Sequence, residues 1–483
     1  MTWSDPSAMA RAIGGRWLDD RLPSAFDGVS TDTRQELSRT MYVALRGATH
    51  DGHAYAADAL RGGAAAVLVD EDGLATAGGA DGLSALGPVL VVDETLAALG
   101  RLGAWHRVNL GDTVVIGVTG SCGKTTTKHL LHAVLSRVLT GVVAERSFNN
   151  AIGVPLTLLR ARPGDDYVVV EIGTNAPGEI GQLADCARPD VAILTCIEAA
   201  HLEGFGTIEA IGREKASIFR HVSGARASMI GSQAHRLVPS SMLPENLKIF
   251  GFGAHAAVRA KHVEMEPSGG LTRIVLDDGS MFELALRGRH NVSNALAVIG
   301  LARELGISDV VINEALRAVD PPSMRFEHHS IGAGLVELTN DAYNANPASM
   351  AASLATFFDD ASAHRDRRHV LVLGSMLELG SHSGQYHHEL GERIMRHHDH
   401  HAIGLVVLVG AEMDATAEAM ASLGFNGALV RVDSEMNDDA CRDVAGLIQA
   451  GDRVLLKGSR GNALERLIPV LEKNLDAHGV EHA

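Results

Sequence analysis

Ile116-Gly-Val-Thr-Gly-Ser-Cys-Gly-Lys-Thr-Thr-Thr-Lys128 reads as an apolar strand (Thr113 to Val118), a glycine-rich turn, and a helix opened by Gly123-Lys124-Thr125. Glycines let backbone amides turn toward phosphate oxygens, and a helix N-terminus adds the positive end of its dipole. Lys124 is placed to reach the outer phosphates, and the Thr125 hydroxyl suits Mg²⁺. Thr119, Gly120, Ser121, Cys122, Gly123 and Thr126 complete the expected cradle. Val118 stands where the general phosphate-loop pattern has its first glycine. Strand, turn and helix are nevertheless all present, so the stretch reads as a nucleoside-triphosphate site.

The chain has 483 residues, which implies roughly two to four domains. With 46% hydrophobic and 21% charged residues it has the composition of a globular protein. A formal charge of −17 argues against a general nucleic-acid or anionic-membrane binder. Anionic ligands must then be held by local devices such as helix N-termini, lysines and metal. No apolar run reaches transmembrane length, and the N-terminal stretch lacks an export-signal pattern. The cysteines at 122, 186, 196 and 441 lack CxxC spacing, which suits a reducing cytoplasm without structural zinc. The histidine-rich run 396–401 reads as a solvated helix end.

Three blocks follow from the pattern. The first, 1–108, contains MYVAL, a small-residue helix (Ala54 to Gly62), AAAVLVD, PVLVV and a helix over 95–108. The second, 109–322, has apolar strands at Tyr167–Ile172 and Val191–Ile197. An antiparallel patch is expected over 258–286, and a helix over Asn291–Leu305. It closes at Asp320-Pro321-Pro322. The third, 323–483, has strands at Leu335–Leu338, His369–Leu373, Leu405–Val409 and Arg453–Leu456 alternating with helices. Such alternation predicts parallel sheets flanked by helices, with ligands at the carboxyl ends of strands.

A phosphate loop needs metal partners. Glu171 ends a buried-type strand, where a hard carboxylate oxygen suits Mg²⁺. His201 follows the neighbouring apolar strand and is a second candidate. Lys215, on a helix expected over Ile208–Phe219, reads by itself as a solvated lysine.

At this point several segments resemble the Mur ligase family. TGSCGKTTTK resembles its ATP loop. NNAIGVPLTLL (149–159), EIGTNAPGEI (171–180), AHLEGFGTIE (200–209), GRHNVSNALA (288–297), DAYNANPASM (341–350), GSMLELG (374–380) and KGSRGNALE (457–465) are similar to further family segments. STDTR (30–34) and the residues after it resemble the family's UDP-sugar-binding domain. The segments are most similar to the member that joins D-Ala-D-Ala to UDP-MurNAc-tripeptide. The DNPR-centred acceptor segment of the sister that adds the third amino acid is absent, and YNANP (343–347) stands in the third block.

The resemblance implies an α/β chain of three domains. These are a small N-terminal UDP-substrate domain (1–108), a central parallel-sheet ATPase domain (109–322) and a C-terminal Rossmann-like domain (323–483). It implies a cytoplasmic monomeric ligase of peptidoglycan precursor synthesis that uses ATP, two Mg²⁺ and an acyl-phosphate intermediate. Its partners would be UDP-MurNAc-tripeptide and D-Ala-D-Ala. On the same ground Lys124 neutralises the γ-phosphate, and Thr125, Glu171, His201 and a carbamoylated Lys215 hold metal. Asn294 and His290 meet adenine, Asp341 the ribose, and Arg325 the γ-phosphate. Ser30, Thr31, Asp32, Thr33, Arg34, Asn149, Asn150, Tyr343, Asn344, Asn346 and Lys457 face the substrates. Because these residues are spread over three blocks, an open-to-closed motion is expected on binding.

Four positions depart from the family pattern: Cys196 and Glu198 before His201, Ala151 after the Asn pair, and Ser375 in GSMLELG. Cys122, at a helix N-terminus, is expected to be acidified and protected by ATP from alkylation. Other ATP-dependent amide ligases of the superfamily, a scaffold with a dead ATP site, and a kinase or GTPase are the competing readings. STDTR argues against folate ligases, and a guanine-specific NKxD segment is absent.

Overall fold

The computed structural model describes residues 5–23, 26–222, 226–266, 270–332, 334–359, 367–401 and 403–479. They form three sheets, each flanked by helices. The expected α/β class is observed. Residues 267–269, inside the expected antiparallel patch, lie outside the described residues.

The first sheet runs Arg16–Trp17, Val89–Val92, Ala66–Asp70, Thr40–Val43, Gly28–Ser30. Only its Arg16–Trp17 edge is antiparallel. The two edge strands escape the sequence pattern because two or three residues cannot display a period.

The central sheet has nine strands. From one edge they are Met281–Leu284, Thr272–Leu276, Val258–Met265, Leu247–Gly251, Ser228–Gly231, Val191–Leu194, Val114–Thr119, Tyr167–Glu171 and Gly141–Val143. All neighbours pair in parallel except around Thr272–Leu276, which is antiparallel to both of its partners. The phosphate-loop strand therefore lies deep in the sheet, between Val191–Leu194 and Tyr167–Glu171. Every residue of those two neighbours is buried, as a strand covered on both faces requires. Helices Lys124–Leu135 and Arg289–Glu304 cover one face, joining Leu130, Leu131, Val134, Leu296 and Val298 in one apolar core.

The third sheet runs Glu327–Ile331, Val336–Asn340, Arg453–Lys457, His369–Gly374, Ile403–Val409, Ala428–Val432. Its first strand is antiparallel and the rest are parallel. The histidine run ends the helix Ser383–His401, but it is more than a solvated end. His397 and His401 stack on Phe358 with ring centroids 4.6 and 4.9 Å apart, and burial pushes His397 down to about 4. The rings are recruited because the end of helix Pro347–Asp359 brings an aromatic face beside them.

The units are joined by packing. Helix Thr95–Val108 lies against Gly153–Arg160, where a side chain on Gly103 would strike Pro155. One continuous core includes Val115 and Ile172 of the central sheet region together with Met350, Leu354 and Leu371 of the third.

Candidate active site

Two glycines shape the phosphate loop. Gly120 has φ 150°, and a Cβ there would lie 1.9 Å from Thr195 Oγ1. Gly123 has φ 83°, and its Cβ would meet Asn294 Oδ1 at 2.4 Å. Only glycine tolerates both the conformation and the contact. Helix Lys124–Leu135 starts directly after this turn, so its first amides face the cleft.

Lys124 Nζ donates to Gly120 O at 2.7 Å, folding the side chain along the loop. Thr125 Oγ1 donates to Glu171 Oε2 at 3.1 Å and lies 3.3 Å from Oε1. Asn149 Nδ2 donates to Glu171 Oε1 at 3.0 Å. A further partner lies outside the residues that the sequence pattern singles out: Lys128 Nζ lies 2.8 Å from Glu171 Oε2 and also donates to Arg146 O. Lys128 is 4% exposed and Glu171 1%. Burial pushes the Glu171 carboxyl up, but the Lys128 and Lys124 ammoniums prevail and hold it below its ordinary value. Lys128 ends the segment 116–128. Its signal was the i, i+4 spacing to Lys124, which puts both on one helix face.

Groups from the third sheet's side close over the loop. Arg325 Nη2 lies 3.4 Å from Thr125 Oγ1, and its guanidinium sits 4.1 Å from the centre of the Tyr343 ring. Met324 and Phe326 on either side have φ near 60°, so this short segment is held in a strained turn that aims Arg325. Asn346 Nδ2 donates to Cys122 Sγ at 3.1 Å. His201, itself in the left-handed region (φ 59°), abuts Glu378 Oε2 through Nδ1, and Glu203 N–H donates to Glu378 O at 3.2 Å. Glu378 was another unforeseen participant, although it lies within GSMLELG.

These groups line one cleft of about 680 Å³. Ser121 to Thr125, Asn149, Asn150, Glu171, His201, Arg325, Tyr343, Asn344 and Asn346 all border it. Asn150 also accepts from the amides of Ile152 and Gly153. Thr119 and Gly120 are buried and do not border it, and Thr126, the third residue of the helix, is buried as well.

Other expected residues lie elsewhere. Ser30 to Arg34 are not in the cleft. Arg34 is exposed and pairs with Asp32 at 2.7 Å, and Ser30 Oγ donates within its own turn to Asp32 O. Lys457, expected to face substrate, is buried instead. Its ammonium lies 2.9 Å from Asp341 Oδ2 and donates to Asn344 O at 2.7 Å. A lysine at the end of a fully buried strand needs such partners, and the 341–344 loop supplies them. Asn294 backs the loop at Gly123, with its Nδ2 3.3 Å from Asn291 Oδ1. His290 lies near enough to Asp341 and Lys457 to feel both charges, and burial lowers its pKa.

Lys215 ends the helix Ile208–Ala216 and is 1% exposed, so it is not a solvated lysine. Burial, aided by the Lys124 charge, brings its ammonium down to about 7. It does not border the cleft. Among the described residues, no three His, Cys, Asp or Glu side chains form a ready-made metal cage. Glu198 is raised to about 7, first by burial and then by Cys122. Ser375 turns away from the cleft and donates to Glu412 Oε2 at 2.8 Å.

The sequence profile of the Mur ligase middle domain matches residues 118–302, and that of the Mur ligase glutamate ligase domain matches 324–460. Along 98% of its length the chain is 32% identical to the whole of the UDP-N-acetylmuramoyl-tripeptide--D-alanyl-D-alanine ligase of Treponema pallidum. The chain belongs to the Mur ligase family. Among solved structures, this Mur ligase superposes on MurF from Acinetobacter baumannii with a TM-score of 0.82 at 29% identity, covering 98% of this chain and 99% of that one. It superposes on the MurF ligase from Thermotoga maritima in complex with ADP with a TM-score of 0.73 at 25% identity, covering 93% and 98%.

Proposed function

We propose that the chain is the ATP-dependent ligase that joins D-Ala-D-Ala to UDP-MurNAc-tripeptide in peptidoglycan precursor synthesis. The observation that carries this reading is the cleft where the phosphate loop meets Arg325, Tyr343 and Asn346 of the YNANP segment. Full-length similarity to relatives bearing that name supports it. The unit 1–108 is assigned to the UDP-linked substrate, 109–322 to ATP, and 323–483 to the acceptor. Among the described residues no helix is long and apolar enough to cross a membrane. The cytoplasm, which supplies ATP, is the proposed compartment, and a monomer the proposed state.

The tripeptide's terminal carboxylate attacks the γ-phosphorus of ATP, giving an acyl phosphate and ADP. The amine of D-Ala-D-Ala then attacks the acyl carbon, and phosphate leaves from the tetrahedral intermediate. Charge stabilisation and alignment dominate such chemistry. Lys124, at the end of the loop, and Arg325, which reaches Thr125 from the third sheet's side, are assigned to neutralise the transferring phosphoryl group. Asn149 and Lys128 keep Glu171 ionised and oriented. Asn294, His290 and Asp341 are assigned to the nucleoside, and Tyr343, Asn344 and Asn346 to the acceptor side.

The Thr125 hydroxyl and Glu171 carboxylate are hard oxygens 3.1 Å apart at the cleft, a donor set that fits Mg²⁺. Bound there, the metal screens phosphate charge. A second ion is assigned to His201, which borders the cleft; Lys215, which does not, is assigned as its carbamate ligand from the family resemblance alone. Carbamoylation needs a neutral amine, and the buried Lys215, lowered to about 7, supplies one near neutrality. With ¹³C-bicarbonate the protein should show a carbamate ¹³C resonance that Lys215→Met lacks. An identical spectrum for both proteins would refute the assignment.

The function is tested by ADP and phosphate release with ATP and Mg²⁺. UDP-MurNAc-tripeptide and D-Ala-D-Ala are added singly and together. Turnover requiring both, with a pentapeptide product, is expected. Turnover with a different amino acid would move the chain to a sister ligase, and ATP binding without turnover would favour a scaffold.

A further inference from the structure

The Cys122 and Cys196 thiols have no part in the reaction above, yet the two residues meet beneath the phosphate loop. The Cys122 amide donates to Cys196 Sγ at 3.3 Å, and Cys196 Sγ lies 3.5 Å from Cys122 O. One residue earlier, Ser121 N–H donates to Cys196 O at 2.9 Å. The two segments are thus hydrogen-bonded to each other, with Cys196 Sγ already against the Cys122 backbone, the close approach that a disulfide needs. Cys122 borders the open cleft, and as residues both cysteines are half-buried. The remaining cysteines offer no rival partner. Cys186 packs against Gly100 O at 3.4 Å, and Cys441 is buried in the third unit near Met436 O.

The two thiols are also chemically unequal. The Cys196 thiol hydrogen-bonds Cys122 and, outweighing burial and helped by Asn346 and Lys124, brings the Cys122 thiol down to about 6. Cys196 itself is pushed well above the ordinary thiol value. The pair is thus polarised: Cys122 is shifted toward the thiolate, the nucleophilic form, and Cys196 toward the protonated form of a resolving thiol.

We propose that Cys122 and Cys196 form a reversible disulfide, with a hydroperoxide as oxidant, that closes the nucleotide site. In the first step Cys122 thiolate attacks the outer oxygen of the hydroperoxide. The S–O bond forms, the O–O bond breaks, and the alkoxide (hydroxide from hydrogen peroxide) takes a proton and leaves, giving Cys122 sulfenic acid. The Cys196 sulfur then attacks the Cys122 sulfur. The S–S bond forms, the S–O bond breaks, and the leaving hydroxide takes the Cys196 proton as water. Two thiols lose two electrons together, and the hydroperoxide becomes alcohol and water. A dithiol reverses the change by exchange.

The inference rests on the reading that this loop binds nucleotide. A sulfur–sulfur bond of about 2.0 Å draws Cys122 toward Cys196. That displaces an amide of the phosphate cradle and withdraws Sγ from Asn346, loosening the third unit's contact with the loop.

The test uses the full chain, reduced and then treated with hydrogen peroxide with or without ADP and Mg²⁺. Free thiols are capped with N-ethylmaleimide before non-reducing peptide mapping. Binding of a fluorescent ADP analogue is measured in parallel. Expected are a linked 122–196 peptide pair, an affinity at least tenfold weaker, and recovery to within twofold on adding dithiothreitol. ADP should slow the linkage. Cys196→Ser should give no linked pair and should let dimedone trap the sulfenic acid on Cys122. Fully oxidised Cys122 without the linked pair, or linkage that leaves ADP affinity within twofold, overturns the proposal. A reduced protein that binds no ADP would instead defeat the nucleotide reading, while the peptide map still decides the disulfide.

Discussion

Lys124→Ala will lower kcat/KM for pentapeptide formation by about 10³-fold or more, with little change in thermal stability. The loss follows from removing the positive charge that the loop holds beside the proposed phosphoryl site, where such charges act in a water-poor cleft. Stability is spared because Lys124 is only partly buried and spends its ammonium on the Gly120 carbonyl. Steady-state kinetics with both substrates, alongside a melting curve, checks this. A second readout separates the charge from mere shape. The Lys124 ammonium helps lower Lys215, so its removal should raise the Lys215 pKa and shift the ¹³C-carbamate titration upward. An Ala variant with more than a tenth of wild-type kcat/KM would defeat the role assigned to Lys124.

Lys128→Met will destabilise the central unit by about 3–5 kcal/mol and abolish most turnover. The cost comes from the partner left behind. Glu171 is 1% exposed, and without the ammonium 2.8 Å away its carboxylate is a buried charge lacking its main counterion. The first melting transition should fall by roughly 6 °C or more. In the double variant Lys128→Met/Glu171→Gln, most of the lost stability should return, since no unpaired charge remains, while activity stays lost with the carboxylate. The pH dependence has a definite sign. Glu171 is held below its ordinary pKa, so its stabilising contribution is complete above the ordinary carboxylate range. It fades as pH falls through the folded-state value, so the gap between wild type and Lys128→Met should narrow on acidification. An equal melting temperature for Lys128→Met and wild type would show that the pair is not structural.

Much of the fold was legible because its strands are buried on both faces. Tyr167–Glu171, Val191–Leu194 and His369–Gly374 read as short apolar runs between helical segments, the mark of a covered parallel sheet. Ser228–Gly231 and Ala428–Val432 escaped because they are short or half-exposed and carry little periodicity. In the site, Thr125 and Glu171 were readable as a pair because each ends or follows an apolar strand of one sheet. Lys457 read as a cleft residue by the same logic, but its neighbours decided otherwise. The 341–344 loop folds back over it, and Asp341 with two carbonyls binds its ammonium.

The amino-acid sequence alone determined the strand, the glycine turn and the helix that present Lys124 and Thr125. These depend on local backbone geometry: which residues permit positive φ, and where a helix can start. The tertiary structure alone decided what stands across from that loop. Arg325 reaches Thr125, Asn346 touches Cys122, Glu378 meets His201, and Cys196 lies under Cys122. Each joins segments far apart in the chain, so it is set by strand order and by the packing of one unit on another, which no local period records.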